Sequence, residues 1–445
     1  MKKLFGTDGL RAEAGEFPLD PVSIRRLGAG LAGLLRKEGL PAKVLIGRDT
    51  RESGEWIEEA LLQGLRAAGG ESASAGVVPT SAVAYLTKGL GFSAGIVISA
   101  SHNPYRDNGI KIFSGQGFKI SEAWEVKLDG EVLDGGPPPR PEPVDCRPDP
   151  SYLRAYENYL AGAFDFGGLG HPLRVVLDCA HGASFKSAPE TMRTLGLEVM
   201  TLGDSPDGRN INDGCGSLHP EKLAAAVLEA RADLGVAYDG DADRALWVDE
   251  RGRLLTGDHT LFLLSRTMLE RDRLKAGTVV ATTMSNMGLQ KAVEAAGLRF
   301  ERTRVGDKYV LERMLELGAN LGGERSGHTI LLDDATTGDG ILTSLRLIEV
   351  MAARKAPLSA LVEGYIEYPQ VLLNVPVGSK PDLGRFPEIS SAIAETERLL
   401  RGRGRLDVRY SGTEPLARVM VEGEDASEIE RLARRVADAI ARRLS

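Results

Sequence analysis

The chain is predicted to fold as α/β: three related α/β domains built on mixed sheets, then a smaller C-terminal α+β domain. Three observations carry this prediction. Short apolar runs of strand length alternate with stretches of helical period as far as residue 367. Three of those runs end in polar, turn-forming loops, at Ser99–Pro104, Asp239–Arg244 and Gly323–Gly327, so one layout recurs without a strong residue-level repeat. From about Tyr368 the pattern changes to hairpin-like strands accompanied by two helices.

The first domain, 1–149, opens on the turn-rich Gly6-Thr7-Asp8-Gly9-Leu10-Arg11. Pro21 to Glu38 reads as a helix and Val44 to Ile46 as a short buried strand. Ser53 is placed to cap a helix with the apolar stripe Ile57, Ala60, Leu61, Gly64, Leu65 and Ala68. Val77-Val78 reads as a strand, a helix begins near Thr80, and Ala94 to Ile98 is a buried strand running into Ser99-Ala-Ser-His-Asn-Pro104. Gly109 to Phe113 is a further strand, and the proline-rich run Asp134–Asp145 breaks every period, as a stiff linker does.

The second domain, 150–253, starts with a helix carrying Tyr152, Tyr156 and Tyr159. Strands follow at Leu173–Cys179, Glu198–Leu202, Leu234–Tyr238 and Ala245–Val248, with helices at Ser184–Leu195 and Pro220–Ala230. A polar, glycine-rich loop at Asn210–His219 has no evident purpose. In the third domain, 254–367, strands are expected at Thr278–Thr282, Arg299–Arg302 and Ala319–Leu321. Helices are expected at Gly288–Ala296, from Asp307, and from Gly340 to Met351. The fourth domain, 368–445, has strands at Val371–Val375, Leu406–Arg409 and Ala417–Glu422. Its helices are Ala392–Arg401 and Ser427–Leu444, the latter with a Ser427/Glu430 capping box.

Composition narrows the function classes. With 42% hydrophobic residues over 445 positions, the chain can bury several cores, yet no apolar run is long enough to span a membrane. The N-terminus lacks the apolar stretch of a signal peptide, and the widely spaced Cys146, Cys179 and Cys215 suit a reducing, cytoplasmic setting. A net charge of −8 disfavours nucleic-acid partners and asks that an anionic substrate meet local basic pockets.

The loops supply those pockets. Asp239, Asp241 and Asp243 alternate over five residues, and such carboxylates repel unless a cation neutralises them. Hard oxygen donors select Mg²⁺ or Ca²⁺; the register resembles an EF-hand, but its turn glycine is replaced by Arg244 and strands, not helices, flank it. Mg²⁺ keeps few protein ligands and takes a phosphate oxygen, which a phosphorylated Ser101 supplies. Charge on a transferring phosphoryl group is then spread by Arg11, Lys111 and Arg244. Lys111, His328 and His102 are the candidate acid/base groups. Glu324 and Ser326 suit vicinal sugar hydroxyls. Arg409, Ser411, Gly412 and Thr413, with Arg418 nearby, suit a phosphate that is held without reacting.

With these loops in hand the whole chain resembles the α-D-phosphohexomutases, whose signature is a serine loop, an Asp-Gly-Asp-x-Asp-Arg metal loop, a Gly-Glu-x-Ser-Gly sugar loop and a phosphate loop. They stand here, in that order, at Ser99–Pro104, Asp239–Arg244, Gly323–Gly327 and Arg409–Pro415. The chain is most similar to the bacterial members that act on glucosamine phosphates, through Phe5–Arg11, Asn212–Ser217, Arg302–Asp307, Gly322–His328 and Thr336–Gly340. Ala12 and Arg325 depart from the glycine and glutamine common in that group, and Arg325 borders the sugar loop.

The resemblance implies four domains around a central cleft, the last acting as a lid. It implies an isomerase that interconverts glucosamine 6-phosphate and glucosamine 1-phosphate towards UDP-N-acetylglucosamine and peptidoglycan. Phosphoserine at Ser101 would donate to the substrate, giving a hexosamine 1,6-bisphosphate that reorients and returns its other phosphate. One Mg²⁺ per chain would sit on Ser101, Asp239, Asp241 and Asp243. The expected partner is a small sugar phosphate, and the expected assembly a monomer or homodimer. The alternatives are the same reaction on glucose or mannose phosphate, a non-catalytic sugar-phosphate-binding protein, and a metal-dependent phosphatase.

Overall fold

The computed structural model describes residues 4–166, 172–411 and 415–444. By packing, the chain forms two compact units, one of Met1–Thr282 with Glu301–Glu363 and one of Thr283–Phe300 with Gly364–Ser445.

The larger unit holds three sheets. The first runs Phe5–Gly6, Gly9–Glu13, Asp107–Ser114, Ala94–Ile98, Lys43–Arg48, Glu71–Val77. The second runs Leu254–Leu255, Ala245–Asp249, Leu234–Tyr238, Arg174–Asp178, Glu198–Leu202, and the third Arg299–Thr303, Thr278–Thr282, Leu321–Gly323, Thr329–Leu331. Each contains a parallel pair or trio and at least one antiparallel pairing. Ala94–Ile98 pairs parallel with Lys43–Arg48 and antiparallel with Asp107–Ser114. Leu234–Tyr238 pairs parallel with Arg174–Asp178 and antiparallel with Ala245–Asp249. Leu321–Gly323 pairs parallel with Thr278–Thr282 and antiparallel with Thr329–Leu331. In all three sheets the polar loop singled out in the sequence joins the last parallel strand to its antiparallel neighbour. The mixed pairing thus puts the loops at the carboxyl ends of parallel strands, where open α/β sheets bind ligands.

On the first sheet the helices Pro21–Lys37 and Ser53–Ala67 pack so closely that a Cβ on Gly64 would lie 2.1 Å from the Arg25 carbonyl oxygen. Leu27, Leu31, Ile57 and Leu61 interleave there with Ile46, Ile96 and Ile98. The helix Pro150–Gly162 is a tie rather than a wall. Its Tyr156 is fully buried and hydrogen-bonds Ser81 and Asp339, while Tyr159 stacks on Tyr85 at 4.1 Å.

Local expectations needed correction in places. The strand placed at Val77-Val78 is Glu71–Val77, a parallel edge strand of small and polar residues that no apolar run announces. Ser53 makes no capping bond; its hydroxyl instead accepts from Asn108 Nδ2 at 2.8 Å. The last helix is capped by Asp425, whose carboxylate accepts from the Ser427 and Glu428 N–H groups, so Ser427 is not its cap. Helices at Glu122–Asp134 and Gly257–Glu270 had no sequence counterpart.

The smaller unit is α+β. Leu416–Gly423 is the central strand, antiparallel to both Gln370–Pro376 and Gly404–Tyr410. Helices Pro387–Leu400 and Ala426–Leu444 cover the sheet through Ile389, Leu400, Leu432, Val436 and Ile440. Helix Met287–Ala295 belongs to this unit, tied by Asn286, which exchanges hydrogen bonds of 3.0 Å with the Tyr368 backbone.

Candidate active site

The serine loop begins where Ile98 leaves the sheet. Ser99, Ala100 and Ser101 are all buried, and Ser101 has φ +53°, a left-handed conformation that costs a non-glycine residue of order 1–3 kcal/mol. The surroundings hold it there. Ser101 N–H donates to Ser99 Oγ at 2.9 Å, and Ser99 Oγ donates to Asp49 Oδ2 at 2.6 Å. Arg51, fully buried, pairs with Asp49 at 2.8 Å and donates to four carbonyls of the loop, those of Ser101, Asn103, Pro104 and Asp107. Asp49 and Arg51 were missed in the sequence. The signal available was Arg48-Asp-Thr-Arg51, a charged cluster at the carboxyl end of a buried strand.

The metal loop lies against this serine. Ser101 Oγ donates to Asp239 Oδ2 at 2.6 Å. Asp239, Asp241 and Asp243 are all buried, with one carboxylate oxygen from each lying within 4.8 Å of the others. Burial, then repulsion from Asp243 and Asp241, holds the Asp239 carboxyl well above the ordinary range. Asp241 and Asp243 each keep a buried Oδ1 that accepts no hydrogen bond. Hard oxygen donors with spare lone pairs and mutual repulsion fit a small divalent cation such as Mg²⁺. The flanking elements are antiparallel strands, which removes the EF-hand reading.

Two cations meet the trio, and a third stands at its edge. Lys111 Nζ lies 2.8 Å from Asp241, 3.1 Å from Asp243 and 3.1 Å from Asp8. Burial would strip its proton, but those carboxylates outweigh burial and hold the ammonium well above its usual range. Arg244 lies 3.8 Å from Asp243 and donates to His102 Nδ1 at 3.2 Å. Arg11 is paired with Asp8 at the edge of the cluster. His102 Nδ1 sits 3.3 Å from Ser101 Oγ, and burial, with Arg244 and Arg11, pushes the imidazole down to about 4, so it is neutral near pH 7.

The sugar loop is joined to the metal loop by backbone: Ala245 N–H donates to the Gly327 carbonyl at 3.2 Å, and Arg244 bridges His328 antiparallel. Glu324 Oε1 accepts from Gly306 N–H at 3.0 Å, and Ser326 Oγ lies 3.5 Å from Glu324 Oε2. The His328 ring is buried, makes no hydrogen bond, and has Nε2 3.7 Å from Asp307. Lys119 links Asp307 at 2.5 Å to Asp8 at 2.6 Å, so charge runs continuously from Asp241 through Lys111, Asp8 and Lys119 to Asp307. Asp8, Lys119 and Asp307 are further residues that sequence reasoning did not select. Arg325 pairs with buried Asp258 at 3.3 Å.

The larger unit therefore brings together Ser101, His102, Lys111, Arg11, the three aspartates, Arg244, Glu324, Ser326 and His328. Arg409, Ser411 and Arg418 lie in the smaller unit, and Gly412 and Thr413 lie outside the described residues. Arg409 and Arg418 are direct cross-strand partners, two like charges side by side on one face. Lys380 adds a third cation, donating to the Ser411 carbonyl at 2.5 Å.

Four family models match the chain in succession, all described as phosphoglucomutase/phosphomannomutase. They are alpha/beta/alpha domain I over 2–135, domain II over 152–252, domain III over 256–368 and the C-terminal domain over 372–439. The chain is 48% identical to the phosphoglucosamine mutase of Moorella thermoacetica, over 97% of this chain and 98% of that protein. It is 46% identical to that of Halorhodospira halophila, over 97% and 95%. Among solved structures, a phosphoglucomutase/phosphomannomutase family protein from Burkholderia thailandensis superposes with TM-score 0.81 at 25% identity, over 98% of this chain and 97% of that one.

Proposed function

The chain belongs to the phosphoglucomutase/phosphomannomutase family, and on that premise we propose that it interconverts glucosamine 6-phosphate and glucosamine 1-phosphate through phosphorylated Ser101. The carrying observation is the 2.6 Å contact between Ser101 Oγ, buried and held at positive φ, and Asp239 of the carboxylate trio. The choice of sugar rests on the full-length phosphoglucosamine mutase relatives. The four domains divide near residues 149, 253 and 367.

Asp239, Asp241 and Asp243, together with a phosphoryl oxygen on Ser101, would hold one Mg²⁺. When bound, the ion draws charge from the phosphoryl oxygens and lets the three carboxylates coexist. Lys111 and Arg244 place fixed positive charge beside the same oxygens, and Arg11 extends it. Lys111 stays protonated, so it serves as a fixed cation and hydrogen-bond donor rather than as a base. His328, with both ring nitrogens unbonded, can take a proton from the attacking hydroxyl and return it to the leaving one. His102 is neutral and accepts from Arg244, which orients that guanidinium.

Glu324 and Ser326 would hold the sugar hydroxyls. Arg409, Ser411 and Arg418, with Gly412 and Thr413, would hold the idle phosphate. A bisphosphate intermediate explains why a reacting and a non-reacting phosphate site are both needed.

The test is turnover of glucosamine 6-phosphate beside glucose 6-phosphate and mannose 6-phosphate, with intact mass to detect phosphate on Ser101. The expected result is highest kcat/KM for the amino sugar and loss of turnover, by at least about 10³-fold, in Ser101→Ala. Faster turnover of glucose or mannose 6-phosphate would reassign the sugar. Turnover by Ser101→Ala would reject the mechanism.

A further inference from the structure

The loop Asn210–His219 has a definite place in the structure. Asn212 adopts φ +61° and anchors its N–H on the Ala180 carbonyl at 2.9 Å, which aims its amide at the back of the serine loop. Its Nδ2 group donates to the Ser101 carbonyl at 2.9 Å and to the Asn103 carbonyl at 3.1 Å. The Nη2 group of Arg51 donates to the same two oxygens, at 3.0 and 2.8 Å. Each carbonyl therefore receives two N–H groups, one from the first domain and one from the second. An NH₂ group facing two carbonyl oxygens can only be a donor, so the amide orientation follows from chemistry. The metal loop closes the third side. A Cβ on Gly240 would lie 2.4 Å from the Ser101 oxygen and 2.9 Å from Asn212 Nδ2.

We propose that Asn212 is a positioning residue for phosphoryl transfer: with Arg51 it forms a four-bond clamp on the Ser101 and Asn103 carbonyls that holds Ser101 in its left-handed conformation. This rests on the reading of Ser101 as the phosphoryl carrier. With its N–H on Ser99 and its carbonyl clamped, Ser101 keeps both flanking peptides still, and Oγ remains aimed at Asp239. Because the clamp spans two domains, it also sets the serine loop against the metal loop. Without it the left-handed serine relaxes, and a displacement of about 1 Å at a reacting atom costs about 10²-fold in rate.

Two variants separate donation from turn shape. Asn212→Asp keeps size and tolerance of positive φ but faces two carbonyl oxygens with acceptors only. Asn212→Gly keeps the backbone and removes the side chain. Both are expected to lower kcat and the rate of Ser101 phosphorylation by glucosamine 1,6-bisphosphate by about 10²-fold, with KM within about threefold of wild type and a melting temperature lowered by no more than a few degrees. Combined with Arg51→Lys, their effects should be markedly less than additive, as for groups acting as one unit.

Wild-type kcat in Asn212→Asp overturns the proposal, since shape alone would then suffice. So does a melting temperature that falls in step with kcat, or a loss expressed in KM. Ser101→Ala is the control. If it turns over, the carrier reading fails, whatever the Asn212 variants do.

Discussion

Ser101 has both flanking peptide groups bonded, its N–H to Ser99 and its carbonyl to Arg51 and Asn212. That leaves the side chain as the part of the residue free to change partners. The neighbouring His102 titrates far below neutrality, at about 4, because burial and two guanidiniums oppose its charge. Replacing His102 by Gln should therefore leave the shape of the pH–rate profile between pH 6 and 8 unchanged. An acidic limb that vanishes in His102→Gln would show that the imidazole titrates there after all. In the smaller unit Arg409, 3.7 Å from Asp407, faces Arg418 across the ladder, so the two guanidiniums stand side by side where they can grip one anion. Arg418→Ala should raise KM for the sugar phosphate about 10- to 100-fold, the worth of one charge-assisted hydrogen bond, read from initial-rate kinetics.

At the scale of elements, the helix Gly340–Arg354 shows how a cap is tied to the site. Asp339 caps it by accepting from Leu342 N–H at 2.9 Å and also accepts from the Tyr156 hydroxyl at 2.8 Å. Gly340 N–H, at the same end, donates to the Ala242 carbonyl of the metal loop at 2.9 Å. Burial raises the Asp339 carboxyl from 3.8 to about 6. Between those values the unfolded chain has released this proton and the folded chain has not, so stability falls as pH rises from about 4 to about 6 and then levels. Asp339→Asn cannot ionise and keeps a carbonyl acceptor. It should flatten that slope and recover up to about 3 kcal/mol above pH 6, read from urea unfolding at pH 4.5 and pH 7. A slope equal to the wild type's would assign the pH dependence elsewhere.

At the scale of the molecule, three buried carboxylates converge beside Lys111 and Arg244, and a divalent cation would let all three ionise together. Magnesium chloride should raise the melting temperature by a few degrees, since a ligand at 100 times its Kd contributes about 2.7 kcal/mol. EDTA should abolish turnover and added Mg²⁺ restore it. Asp241→Asn should lose the thermal response, and a response that survives in that variant would place the ion at another site.

By itself the sequence determined the alternation of strands and helices, the switch to α+β near Tyr368, and the serine, metal and sugar loops, because each is written in residues close along the chain. Helix Gly257–Glu270 escaped because it is buried almost all round and carries no amphipathic stripe. Edge strand Glu71–Val77 escaped because its side chains are small and polar. Only the tertiary structure decided which side chains serve the serine. Arg51, Asn212, Asp8, Lys119 and Asp307 act through bonds that mostly span 50 to 188 positions. Periodicity reports a residue's neighbours along one element, and it carries no information on which strand end will face another. That pairing is set when sheets from successive domains pack, and it turns a Gly-rich loop of the second domain into the back wall of a serine in the first.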